Sequence, residues 1–139
     1  MRIRITAALG LTLLSLALAA GTALAAPPSG VGAPLSATLT GAEGSGTASF
    51  TLNPGSGELC YTIDSTGLVN VTAAHIHSYP VRPGNVFVGT PVDASGDANT
   101  CLIIGREKVL AILTNPGGYY LNVHTVTAPG GAISGDLTH

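Results

Sequence analysis

Three of the four histidines stand in two short segments whose residue patterns indicate β-strands. His75 and His77 are separated by one residue, and His124 lies far along the chain in the segment 119–126. Side chains at positions i and i+2 of a strand point to the same face, so the imidazoles of His75 and His77 lie side by side. If the two strands are neighbours, three imidazoles can converge on one ion, and imidazole suits copper and zinc. His75, His77 and His124 are therefore the candidate metal ligands.

A structural role for these histidines is the competing interpretation. Strand histidines also hydrogen-bond across a sheet without binding an ion, and His is common as an ordinary residue. The sequence leaves both interpretations open. It offers no catalytic residues, because no serine lies in a G-x-S-x-G motif and no pair of acidic residues has the spacing of an acid–base couple.

The strands that must position the histidines are indicated by apolar and polar residues that alternate between turn signals. We predict strands at residues 35–40, 47–52, 58–63, 69–77, 85–92, 101–104, 119–126 and 132–137. Turns are expected at 53–57 and 64–67, a polar loop at 93–100, and a single short helix at 107–113. Seven or eight short antiparallel strands in one small domain predict an all-β fold, a Greek-key β-sandwich or barrel.

The N-terminal segment has the pattern of a cleavable export signal. Arg2 and Arg4 precede an apolar run, and Ala23 and Ala25 fit the small-x-small cleavage site, so the cut is expected after Ala25 or Ala26. A spanning helix needs about 20 apolar residues, and this run is shorter. We therefore predict a signal peptide at 1–25, a flexible leader at 26–34 and one domain at 35–139. The mature protein should be secreted or extracytoplasmic, in the cell envelope or the medium, with no integral membrane segment.

The two cysteines and the excess of acidic over basic residues give further information on the class of protein. In an exported chain, Cys60 and Cys101 are expected to form a disulfide, because the compartment is oxidising. After cleavage, three basic residues stand against seven acidic ones. A nucleic-acid binder needs a basic face to neutralise phosphates, so that class is excluded.

Four segments together resemble a known domain. They read Gly-Thr-Ala-Ser-Phe-Thr-Leu at 46–52, Ala-Ala-His-Ile-His at 73–77, Tyr-Tyr-Leu-Asn-Val-His-Thr at 119–125 and Pro-Gly-Gly-Ala-Ile-Ser-Gly-Asp-Leu at 129–137. The chain from about Leu35 to Leu137 thereby resembles the CHRD domain, which occurs in chordin and in many exported bacterial proteins.

The CHRD domain in turn is similar to copper/zinc superoxide dismutase. The resemblance implies a superoxide dismutase-like or immunoglobulin-like Greek-key fold, and it matches His75, His77 and His124 to copper ligands. The bridging histidine, the zinc ligands and the guiding arginine of that enzyme have no match here, which argues against dismutase turnover.

We therefore expect an exported CHRD-type binding or structural module that holds a copper or zinc ion through three histidines and has no catalytic activity. One alternative is a copper-dependent redox protein of superoxide dismutase-like type. The other is a purely structural cell-surface domain whose histidines only link strands. The expected partner is an extracytoplasmic protein or a component of the cell envelope.

Overall fold

The computed structural model describes residues 34–80, 82 and 84–139. The predicted signal peptide and almost all of the predicted leader lie outside these residues. No helix in the described part of the chain is long and apolar enough to cross a membrane.

The described chain forms one sheet of eight strands, a short α-helix and a 3-10 turn. The strands are β1 (Pro34–Thr40), β2 (Ser45–Asn53), β3 (Glu58–Thr66), β4 (Val71–Ser78), β5 (Asn85–Gly89), β6 (Ala98–Ile103), β7 (Tyr119–Thr125) and β8 (Ile133–Asp136). Helix α1 (Arg106–Thr114) and the 3-10 turn Pro116–Gly118 lie between β6 and β7. All strand pairs are antiparallel. The predicted all-β fold with one short helix is confirmed.

The strand order explains how distant segments become neighbours. The order is β5-β4-β7-β8-β1-β2-β3-β6, and the sheet curls into a half-barrel with β5 and β6 at its two edges. Hairpins join β1, β2 and β3, and the last strand, β8, lies beside β1. Because β4 and β7 are adjacent, the two histidine-bearing segments pair directly with each other.

The concave face of the sheet carries the hydrophobic core. In β1, Leu35, Ala37 and Leu39 are buried and their neighbours are exposed, as the alternation predicts for a strand with one buried face. Helix α1 adds Val109 and Ile112, both fully buried, to the same core. The core is thus closed on one side by the helix rather than by a ninth strand.

The three largest errors in the predicted boundaries have two causes: strand pairing continues through polar residues in β3 and β6, and it stops early in β5. Asp64, Ser65 and Thr66 were expected in a turn, but they extend β3 by pairing with β2. Residues 98–100 were expected in a loop, but they pair with β3 and begin β6. Strand β5 ends at Gly89 instead of 92, because the chain leaves the edge of β4 there.

The predicted disulfide between Cys60 and Cys101 is confirmed. The two residues lie directly opposite each other in β3 and β6, with their Cα atoms 3.9 Å apart. Among the described residues β3 is the one strand that pairs with β6, so the disulfide joins an edge strand to the rest of the sheet.

Candidate metal centre

The candidate site lies on the outer face of β4 and β7, opposite the core. Along β4, Ala74 and Ile76 are buried in the core, so His75 and His77 point to the other side. The register places His77 opposite Tyr120, His75 opposite Asn122, and Ala73 opposite His124. Residues directly opposite each other share a face, so the pairing of two strands is sufficient to bring the three imidazoles to one surface.

The three predicted ligands converge. One ring nitrogen from each of His75, His77 and His124 lies within 4.8 Å of the others. The ring centroids of His75 and His124 are 5.1 Å apart, and His77 is 5.6 Å from the first and 5.8 Å from the second. This spacing is small enough for one ion to contact all three rings, so the group could hold a metal.

Backbone carbonyls fix which nitrogen of two histidines faces the centre. His77 donates its Nδ1–H to the carbonyl of Gly84 at 2.8 Å, and His124 donates its Nδ1–H to the carbonyl of Pro129 at 3.0 Å. A carbonyl can only accept, so the neutral form of each ring would carry its lone pair on Nε2. Such outer partners orient metal-binding histidines and set their tautomer.

His75 takes part in a different hydrogen bond. Its Nδ1 lies 3.1 Å from Nε2 of His124, which carries a lone pair, so His75 donates this bond. An ion that takes both nitrogens would replace the shared hydrogen, and the His75 proton would move to Nε2. The hydrogen bond is therefore a metal-free arrangement of the same atoms.

His77 is the most deeply buried of the three histidines, with 3% of its surface exposed. Its Nε2 is buried and has no hydrogen-bond partner. A buried acceptor without a partner costs about 1–3 kcal/mol, so native proteins rarely leave one. A cation at this position would satisfy Nε2, and the donor set therefore fits a metal ion.

The protonation of the site favours metal binding. Burial is the main cause that lowers the pKa of His75, and positive charge on His124 or His77 would lower it further. Burial also lowers the pKa of His124, against the opposing effect of its bond to Pro129. Both rings are consequently neutral at pH 7, which is the form that binds metals.

Tyr120 is a supporting residue of the site. Its ring stacks on His77 with centroids 5.2 Å apart and planes 13° from parallel. Its hydroxyl accepts a hydrogen bond from the N–H of Gly84 at 2.7 Å. Gly84 therefore hydrogen-bonds to both Tyr120 and His77, through its N–H and its carbonyl. The guanidinium of Arg82 lies over the Tyr120 ring, with its central carbon 4.1 Å from the ring centroid. The period-two pattern could have placed Tyr120 on this face, whereas nothing in the sequence marked Gly84.

Asn122 lies between Tyr120 and His124 on the same face. Its Nδ2 donates to the carbonyl of Gly130 at 3.1 Å, and its Oδ1 is buried without a partner. Gly131 has a φ of 133°, and a Cβ there would lie 2.3 Å from Oδ1 of Asn122. A glycine is thus required for the loop 128–131 to reach the site and present the Pro129 carbonyl.

The family model for the CHRD domain matches residues 29–137, which include every strand and all three candidate ligands. The chain belongs to the CHRD family. Neither the curated proteins nor the solved structures gave a match to this CHRD chain. The CHRD resemblance of the sequence is confirmed, and the likeness to superoxide dismutase stays an analogy.

Proposed function

We propose that this CHRD protein is an exported binding module that holds one copper or zinc ion through His75, His77 and His124 and has no catalytic activity. The observation that carries the proposal is the buried, unpartnered Nε2 of His77, which belongs to a group of three ring nitrogens within 4.8 Å. Two of the three rings are oriented by backbone carbonyls, as metal-bound histidines usually are.

The donor set decides the choice of metal. It consists of three imidazoles, with no carboxylate or thiolate in the group. The described cysteines are joined in the disulfide and supply no thiolate. Imidazole suits copper and zinc, and Cu(II) binds more tightly than Zn(II) in the general affinity order. When bound, such an ion supplies a Lewis acid with room for a further ligand.

A copper redox protein is the second candidate. Three aromatic rings lead from the site toward solvent: His77 stacks on Tyr120 at 5.2 Å, and Tyr120 lies 5.1 Å from partly exposed Tyr79. Such a series supports electron exchange between a buried ion and the surface. Repeated reduction and reoxidation of bound copper, followed by its visible absorption, would support this function. An ion that stays Cu(II), or that leaves the protein on reduction, would exclude it.

Export and an extracytoplasmic partner belong to the same proposal. The disulfide, the CHRD family and the predicted signal peptide support export. Intact mass of the exported protein checks it, since the mature chain should begin at Ala26 or Pro27. Retention of residues 1–25 in that protein would contradict the cleavage.

Calorimetric titration with Cu(II) and Zn(II) tests the metal site. Wild type should bind one ion, and the affinity should fall at least about 100-fold in His75→Ala, His77→Ala and His124→Ala. His139→Ala is the matched control, because this exposed histidine lies outside the group and should not change binding.

The three variants separate metal binding from folding. His75 is only partly buried, so its removal disturbs the fold less than removal of His77. Circular dichroism checks that each variant retains its β-sheet. A variant that carries all three substitutions is titrated as well. If its metal affinity equals that of wild type, the structural interpretation remains, in which the histidines only link β4 and β7.

A further inference from the structure

A cleft of about 470 Å³ opens beside the candidate metal site. His75 lines it, together with residues 71–74 of β4 and the segment 89–94. The cleft forms because β5 stops pairing early: Gly89 is the last residue opposite β4, and the N–H of Thr90 makes a final bond to the carbonyl of Ala74 at 3.0 Å. The chain then moves away and leaves the edge of β4 uncovered.

Gly89 keeps this space empty. It lies directly opposite His75, where a side chain would stand on the same face about 4.5–5.5 Å from the Cβ of the histidine. A Cβ at residue 89 would meet no atom within 4 Å, and the φ of Gly89 lies outside the left-handed region. Neither crowding nor backbone conformation requires glycine here. Its effect on the structure is the open space next to His75, as glycines in strands often provide for a ligand.

Thr90 follows Gly89 along the cleft, but its side chain lies on the same side of the chain as buried Val88, opposite His75. The residue lines the cleft and is 1% exposed, and its Oγ1 is buried without a hydrogen-bond partner. A hydroxyl in this state costs free energy unless a partner arrives. Because this hydroxyl has almost no surface open to the cleft, it does not contact a ligand beside His75, and the position of such a ligand is defined by Gly89 and His75.

The charges around the cleft define the chemistry of the ligand. Three neutral imidazoles leave a divalent ion with its full positive charge, which favours an anion as the next ligand. Asp93 is the charged residue in the cleft lining, and its Oδ1 already accepts bonds from Ser95 and from the N–H of Asp97. Its remaining negative charge disfavours multiply charged anions.

We propose that this cleft admits a small monovalent anion that completes the coordination of the ion held by His75, His77 and His124. The inference rests on the proposed metal site and adds the position and the chemical class of the exogenous ligand. The absence of a side chain at Gly89 is what makes the position accessible.

Azide binding to the copper-loaded protein tests the proposal. Copper content is measured first in wild type, Gly89→Leu, Gly89→Val and Gly117→Leu. Gly117 is the matched control, because a Cβ there also meets no atom within 4 Å but the residue lies outside the cleft, in the 3-10 turn. Azide is then titrated, and its charge-transfer band to Cu(II) is recorded.

Wild type and Gly117→Leu should bind azide with the same affinity, and Gly89→Leu should bind it at least tenfold more weakly with one copper still in place. If Gly89→Leu loses copper or fails to fold, the shorter valine variant provides the comparison. The proposed anion site would be overturned if copper-loaded wild type showed no azide band, or if the Gly89 variants bound azide like wild type. Wild type that binds no copper would instead refute the metal site itself.

Discussion

Removal of the disulfide should cost this domain a large part of its stability. Cys60 and Cys101 are 41 residues apart in sequence and join β3 to the edge strand β6. In the double variant Cys60→Ala/Cys101→Ala, β6 can still pair with β3 through the backbone, but the covalent bond between the two strands is gone. The unfolded chain then gains the conformations that the closed loop forbids.

The size of the effect follows from the loop. For a loop of 41 residues the chain-entropy relation gives about 4 kcal/mol at 25 °C. Small domains have unfolding free energies of about 5–15 kcal/mol, so the double variant should remain folded with a strongly lowered urea midpoint. Cys60 is nearly buried, and the loss of its sulfur adds a small packing cost.

Urea unfolding of wild type and the double variant, followed by circular dichroism, measures the difference. Copper titration of the same double variant is the control, because the three histidines lie on β4 and β7, away from β3 and β6, and metal affinity should not change. A loss of stability below about 1 kcal/mol would refute the loop-entropy reasoning. A loss of copper binding would show that the edge strand and the site are coupled.

Three further predictions concern the site and its cleft. Gly89→Ala should raise the unfolding free energy by about 0.5–1 kcal/mol, because glycine weakens a strand, and a loss of stability in urea unfolding would show that the fold requires the glycine. Thr90→Val should raise it by about 1 kcal/mol by removing an unpartnered buried hydroxyl, and a lower urea midpoint would mean that the hydroxyl has a partner. In the metal-free protein, burial lowers the pKa of His75 and His124 from the usual 6.5, so the unfolded state takes up protons first. The unfolding free energy should therefore fall as the pH drops through about 6.5 and level off below the lowered pKa values. Urea midpoints measured across this pH range check the prediction. If the variant His75→Gln/His124→Gln showed the same dependence of unfolding free energy on pH as wild type, the prediction would be contradicted.

Strand existence could be predicted from the sequence because each strand has one face in the core. The alternation in 35–40 and 47–52 corresponds closely to β1 and β2. The ends of β3 and the start of β6 could not be predicted, because their polar residues are held by neighbouring strands rather than by burial. Local composition describes one strand at a time, whereas pairing depends on a partner that is distant in sequence.

The candidate site, like the strands, could be predicted from the sequence only in part. The common face of His75 and His77 follows from the period of a strand, and the sequence alone gives it. The proximity of His124 depends on the adjacency of β4 and β7, which the family resemblance suggested and the strand order provides. The carbonyls of Gly84 and Pro129 could not be found, because every residue has a carbonyl and only the loop conformation selects one.

The alternation along β4 has a consequence for how relatives of this domain can diverge. Ala74 and Ile76 maintain the scaffold, while His75 and His77, on the same strand, face the candidate metal site. Selection for folding and selection on the proposed site therefore act on alternate residues of one short strand. A lineage can exchange the histidines for other side chains and acquire a new specificity, or none, while it keeps the half-barrel unchanged. Sequence comparison within the family should accordingly show the inward positions drifting slowly and the outward positions changing together as a set.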